Sequence, residues 1–222
     1  MKIFFEQPQN LYGANRIIQG AINHLSVEAT VTPRIREADL CVFFGGADVH
    51  PKLYHQEVHP LTALNIDHDL VDIALLKSIM RRGCPTIGIC RGAQFLTVMA
   101  GGRLVQHITG HSVGDHKIQV ADKLNFTYNN TPVSELKVTS THHQMMFPFT
   151  SDESFKLLGW AKKLSTAYEL TSFKDQLINV PCEPELVVWP KRKFVCAQYH
   201  PEMQGATDVS MKLLFDAYKE VC

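Results

Sequence analysis

The chain has 222 residues, 45% apolar and 20% charged, with 22 basic and 22 acidic side chains. That length suits one domain with a single large core, and that composition excludes wholesale disorder. A zero formal charge lacks the basic excess of a nucleic-acid binder, and no stretch approaches the ~18–20 apolar residues of a membrane span.

Three further expectations follow from the same reading. A neutral chain has little electrostatic self-repulsion, which permits homo-oligomers. Glu6 interrupts the apolar start too early for a signal peptide. The six cysteines, Cys41, Cys84, Cys90, Cys182, Cys196 and Cys222, form no CxxC pair, which fits a reducing cytoplasm.

No repeat, low-complexity tract or linker divides the chain, so residues 1–222 are expected to form a single domain. Lys2–Phe5 reads as a first strand. Asn15–Leu25 places apolar residues at 17, 18, 21, 22 and 25, a helical spacing. Asp39–Phe44 is an apolar run entering Gly45-Gly46, as a buried strand entering a tight turn would be. Asp67–Arg82 is a helix with acids at its start and Arg81-Arg82 at its end, matching the helix dipole. Pro85–Ile89 is a strand, and Arg91–Ala100 a helix stopped by Gly101-Gly102. This alternation predicts an α/β fold, a mostly parallel sheet with helices on both faces.

The second half carries short strand candidates at Lys117–Val120, Leu136–Thr139, Phe155–Trp160, Ala167–Leu170, Leu186–Trp189 and Phe194–Tyr199. Their turn-separated spacing predicts antiparallel additions to the sheet. Gly205–Val221 reads as a closing helix. Met145-Met146-Phe147 reads as core or pocket wall, Trp160 and Trp189 as packing residues, and Lys191-Arg192-Lys193 as a hairpin tip.

Gly88-Ile89-Cys90-Arg91-Gly92 follows a strand and opens a helix, the G-x-nucleophile-x-G elbow with cysteine in the nucleophile position. Small flanking residues let strand and helix approach while the thiol is held at the carboxyl end of the sheet. A helix N-terminus favours thiolate, and the N–H of residue 91 has no partner within its helix. A cysteine nucleophile needs a base, and Tyr199-His200-Pro201-Glu202 follows the apolar run Phe194–Ala197. In an extended segment, residues i and i+2 face one side, so the Glu202 carboxylate can meet the His200 imidazole.

Gly88 to Gln94 and Gln198 to Glu202 together resemble the two signatures of class I glutamine amidotransferases, most of all their γ-glutamyl hydrolase branch, which includes hydrolases of γ-glutamyl-γ-aminobutyrate. Three other segments resemble that branch. They are the loop Gly45-Gly46-Ala47-Asp48-Val49-His50-Pro51-Lys52-Leu53-Tyr54, the run Gly101-Gly102-Arg103-Leu104-Val105-Gln106-His107, and Ser140-Thr141-His142-His143-Gln144.

The resemblance implies a flavodoxin-like α/β fold and a Cys-His-Glu triad: Cys90 as nucleophile, His200 as general acid and base, Glu202 as its orienting carboxylate. It implies an oxyanion hole from the N–H groups of Gly46 and Arg91. Gln94, His142 and His143 are the implied substrate contacts. The implied reaction is hydrolysis of a γ-glutamyl amide through a thioester on Cys90, with no cofactor and no metal, on a small-molecule γ-glutamyl substrate.

Two departures stand out. His68-Asp69 occupies the place of an Arg-Asp pair frequent in the family, and residues 161–182, with Lys174, Asp175 and Gln176, align with nothing in it.

Three other readings compete. The same triad serves a glutaminase subunit that hands ammonia to a separate synthetase or amide ligase. The same fold can serve as a non-catalytic binding module. The histidine groups His50, His55, His59 and His107, His111, His116 could serve a metalloenzyme; their spacings fit no standard ligand pattern, and they read as loop histidines.

Overall fold

The computed structural model describes residues 1–112, 114–170 and 180–222. Lys174, Asp175 and Gln176 therefore lie outside the described residues. Nine strands of the described chain form the main sheet: β1 (Lys2–Phe5), β2 (Thr30–Val31), β3 (Leu40–Phe43), β4 (Thr86–Ile89), β5 (Asp115–Val120), β6 (Glu135–Thr139), β7 (Lys156–Ala161), β8 (Glu183–Trp189) and β9 (Phe194–Ala197). Their spatial order is β6-β5-β7-β8-β9-β4-β3-β1-β2. From β2 to β9 every neighbour is parallel, and from β9 to β6 every neighbour is antiparallel. The expected parallel sheet with antiparallel additions in the second half is what the chain forms.

The helices are α1 (Leu11–Leu25), α2 (Ile66–Arg82), α3 (Arg91–Met99) and α4 (Asp208–Tyr218). Strand alternation divides the core into two layers. Leu40 and Val42 join Ile87, Ile89, Val195 and Ala197 against Ile17, Ala21, Leu213 and Leu214 of α1 and α4. Cys41 and Phe43 face the other way, onto Leu76, Ile79, Phe95 and Leu96 of α2 and α3. Such period-two burial on both faces of a continuously apolar strand is the signature of a sheet covered by helices on both sides.

Helix α1 begins four residues earlier than its apolar spacing suggests, because Asn10 caps it by accepting from the Gly13 N–H at 3.0 Å. Leu11 and Tyr12 then lie exposed and outside the buried stripe. Asn65 caps α2 in the same way, and Gly83 ends it in the left-handed conformation. Met145–Phe147 is a short strand paired with Arg103–Val105, which buries Met145 and Met146 completely. Trp189 is fully buried, and the turn holding Lys191, Arg192 and Lys193 joins β8 to β9. Among the described residues, no helix is long and apolar enough to cross a membrane.

Candidate active site

Cys90 stands between the end of β4 and the start of α3 with φ 52° and ψ −109°, a conformation costly for a residue with a side chain. The turn is held from both sides. The Cys90 N–H donates to the Ala197 carbonyl at 2.8 Å, and the Gly92 N–H to the Phe44 carbonyl at 3.0 Å. Glycine is required at 88 and 92 by close approach: a Cβ on Gly88 would meet the Gly92 carbonyl and the Ala93 nitrogen, and one on Gly92 would meet the Phe43 carbonyl. The elbow spacing read from the sequence thus has a steric cause.

His200 follows β9, its N–H donating to the Thr139 carbonyl at 2.9 Å. Its Nδ1 lies 2.8 Å from Glu202 Oε1, and its Nε2 lies 3.0 Å from the Thr141 hydroxyl. The i, i+2 pairing of imidazole and carboxylate is therefore formed. Both side chains are buried, His200 at 7% and Glu202 at 5% exposure. Burial alone pushes the His200 imidazole down, but the Cys90 sulfur and the Glu202 carboxylate beside it raise it to about 10. Gly45 packs against both partners: a Cβ there would stand 3.4 Å from His200 Cε1 and 3.8 Å from Cys90 Cβ.

A cavity of about 150 Å³ opens beside Cys90, lined among others by Gly46, Asp48, Arg91, Gln94, His142 and His143. Gly46 and Arg91 adjoin; a Cβ on Gly46 would lie 3.7 Å from Arg91 Cδ. As the first residue of α3, Arg91 has a backbone N–H with no intrahelical acceptor. Its side chain is almost fully buried. The guanidinium pairs with Asp69 and Asp72 of α2, and Nε donates to the Ala47 carbonyl at 3.1 Å. Arg91 thus ties α2, α3 and the loop of residues 45–48 together. His68, at the departure from the Arg-Asp pattern, lies 2.8 Å from Glu6 and 3.7 Å from Asp72.

The other expected residues divide. Gln94 Nε2 donates to the Gln144 carbonyl at 3.0 Å and lies 3.4 Å from Gln198 Oε1, so its amide group is held within the protein. His143 faces Asp48 at 3.1 Å, and that carboxylate raises its imidazole above the usual histidine value. Asp48 also accepts from the Ala63 N–H at 2.8 Å, closing one wall of the cavity. The His142 imidazole is turned into the protein, its Nδ1 2.8 Å from the Gln144 carbonyl and its Nε2 3.5 Å from Glu185. Burial pushes it below the ordinary histidine value.

Thr141 belongs to the strand end, Thr141 to Gln144, that the resemblance implies lines the pocket; Asp48 was not singled out as a site residue, and its position inside a recognised segment was the available signal. His111 is a loop histidine, as expected, but a buried one, because Glu183 and Glu185 of β8 hold it. Two acids spaced i, i+2 at the start of an otherwise apolar strand were the legible sign that partners had to exist.

Residues 21–163 match the family model described as peptidase C26. Protein NtpR of Enterococcus hirae is 26% identical over 210 residues, covering 87% of this chain and 79% of that protein. A candidate glutamine amidotransferase of Mycobacterium tuberculosis is 47% identical over 79 residues, 32% of this chain and only 24% of that protein. A solved structure from Thermoplasma acidophilum, named as a candidate GMP synthase component, superposes with a TM-score of 0.60 at 19% identity over 99% of this chain and 94% of its own. The family match spans well over half of the chain and the fold agrees with it, so the chain belongs to the peptidase C26 family, with a class I glutamine amidotransferase-like fold.

Proposed function

We propose that residues 1–222 act as one catalytic unit that hydrolyses γ-glutamyl amide bonds through a thioester on Cys90. The observation that carries this reading is the pairing of a cysteine in a strained strand-to-helix turn with a buried histidine 2.8 Å from a buried carboxylate. The sulfur attacks the γ-carbonyl carbon, forming a C–S bond and a tetrahedral oxyanion. The N–H groups of Gly46 and Arg91 receive that oxyanion, at roughly 3 kcal/mol per donor. His200 then gives its proton to the amide nitrogen as the C–N bond breaks and the amine leaves. Water attacks the thioester, His200 takes its proton, and glutamate departs with the thiolate restored. Glu202 keeps the imidazole oriented and favours its protonated form. The 150 Å³ cavity suits a glutamyl group, with Gln94 and His143 beside it as substrate contacts; His142, expected as a third, only shapes the wall, because both its ring nitrogens face the protein.

Incubation with a chloroketone analogue of glutamine tests the site directly. Mass spectrometry should find one adduct on the peptide bearing Cys90 and none in Cys90→Ala. Labelling of another cysteine at equal rate would remove Cys90 from the role.

One observation favours a second reading, a glutaminase that passes ammonia to a separate synthetase or amide ligase. Leu64, next in the chain to cavity-lining Ala63, and Ile66, Leu70 and Val71 on the first turns of α2 are exposed apolar residues. A patch of this kind beside a site is suited to a partner. Glutamate release that stays low alone and rises at least tenfold with a synthetase present would select this reading.

A further inference from the structure

Behind the Cys90 cavity lies a cluster that the proposed reaction does not use. Three imidazoles converge on one buried carboxylate. His111 Nδ1, His116 Nε2 and His142 Nε2 lie 3.2, 3.1 and 3.5 Å from Glu185 Oε1. One ligand atom from each of His111, His142 and Glu185 lies within 4.8 Å of the others, and all three residues are buried. The four come from separate places: the loop before β5, β5 itself, the loop after β6, and β8.

The protons decide what such a group can do. His142 Nδ1 is 2.8 Å from the Gln144 carbonyl, which can only accept, so Nδ1 carries the hydrogen. Its Nε2 then presents a lone pair toward Glu185. His111 differs: Nε2 is 2.9 Å from the Glu183 carboxylate and Nδ1 3.2 Å from Glu185, so both nitrogens face acceptors and an ion at Nδ1 would take the place of a proton. His111 Nδ1, His142 Nε2 and Glu185 Oε2 are buried and make no directed hydrogen bond. The His142 lone pair facing a buried carboxylate is repelled unless a proton or a metal ion stands between them. A histidine with one nitrogen fixed by a carboxylate or carbonyl and the other aimed at a shared point is the arrangement found around bound zinc.

The spacing agrees. Ligands at about 2.0–2.1 Å from zinc stand about 3.3–3.4 Å apart at tetrahedral corners. The separations of His111 Nδ1 and His142 Nε2 from Glu185, 3.2 and 3.5 Å, bracket that edge. Charge agrees as well. Glu183 and Glu185 bring two negative charges into the interior, and one divalent ion held by two neutral imidazoles cancels them.

We propose that His111, His142 and Glu185 form a structural site for a divalent transition-metal ion, with zinc as the natural occupant of two imidazoles and one carboxylate; His116, 3.1 Å from Glu185, steadies that carboxylate from the side. Glu183 and the Gln144 carbonyl orient two of the ligands from outside. The ion would fasten three segments behind the cavity, including the loop whose Thr141 touches His200.

The test uses the full chain with Cys90→Ala, so that the thiol cannot supply a ligand. Protein stripped with a chelator is titrated with Co²⁺. One equivalent should produce the visible bands of tetrahedral cobalt, Zn²⁺ should displace it, and Zn²⁺ should raise the melting temperature. Glu185→Gln should weaken binding at least a hundredfold and Glu183→Gln ten- to a hundredfold. X-ray absorption on the zinc-loaded protein should find only nitrogen and oxygen neighbours, a readout that needs no substitution in the cluster. Failure to bind Co²⁺ or Zn²⁺ stoichiometrically, binding unchanged by Glu185→Gln, or a sulfur neighbour would each overturn the proposal. None of these outcomes bears on hydrolysis at Cys90.

Discussion

Glu202→Gln is the most informative substitution at the dyad, because it keeps shape and removes charge. In the structure the carboxylate lies 2.8 Å from His200 Nδ1, and both groups are buried. Two opposite charges about 4 Å apart attract by about 4 kcal/mol at an effective dielectric near 20. At about 1.4 kcal/mol per pKa unit, removing one lowers the imidazolium by roughly three units. His200, held near 10 in the wild type, should therefore titrate near neutrality in the variant.

The sign follows from which form works. In the proposed reaction the leaving amine takes its proton from protonated His200, which is present below its pKa and lost above it. The basic limb of kcat/KM should fall near pH 10 in the wild type and roughly three units lower in Glu202→Gln. Near pH 8 deprotonation alone costs about tenfold, and misorientation of the ring should extend the loss toward roughly 10⁴. The assay is glutamate release from a γ-glutamyl amide across pH 6–11, with circular dichroism confirming the fold. A basic limb that does not move would refute the claim that Glu202 holds the imidazolium.

Three further outcomes follow from the same geometry. Gly92→Ala drives a Cβ onto the Phe43 carbonyl and should cost about 3 kcal/mol, lowering the melting temperature by about 10 °C. Arg91→Lys keeps the charge but loses the two-carboxylate fork to Asp69 and Asp72; denaturant unfolding should show a loss of about 1.5–3 kcal/mol, with a lower kcat as the loop of residues 45–48 loosens. Asp48→Asn weakens the wall it forms with Ala63 and His143, so KM for a γ-glutamyl amide should rise several-fold while kcat changes less.

Much of the fold was legible because its strands are buried on both faces and its helices carry one apolar stripe. β1, β4 and α3 lie where periodicity and glycine place them. The start of α1 was not, since exposed Leu11 and Tyr12 fall off the stripe and only the Asn10 cap marks the true boundary. Thr30–Val31 and Met145–Phe147 are too short to carry a period, and their strand character comes from tertiary pairing. In the site, the elbow and the His200–Glu202 spacing depend on local backbone, and both could be read directly. The meeting of His111, His116 and His142 with Glu185 could not. Those partners lie 43 to 74 residues away along the chain, and spacing rules address ligands carried on one or two neighbouring turns. Asp48 against His143 escaped notice for the same reason, since the two lie 95 residues apart.

The central claim is tested most directly by glutamate release from glutamine, γ-glutamyl-γ-aminobutyrate and γ-glutamyl derivatives of other amines, measured for wild type beside Cys90→Ala. The account predicts turnover of at least one member by the wild type, abolished in a folded Cys90→Ala protein. Equal turnover by both proteins would contradict it.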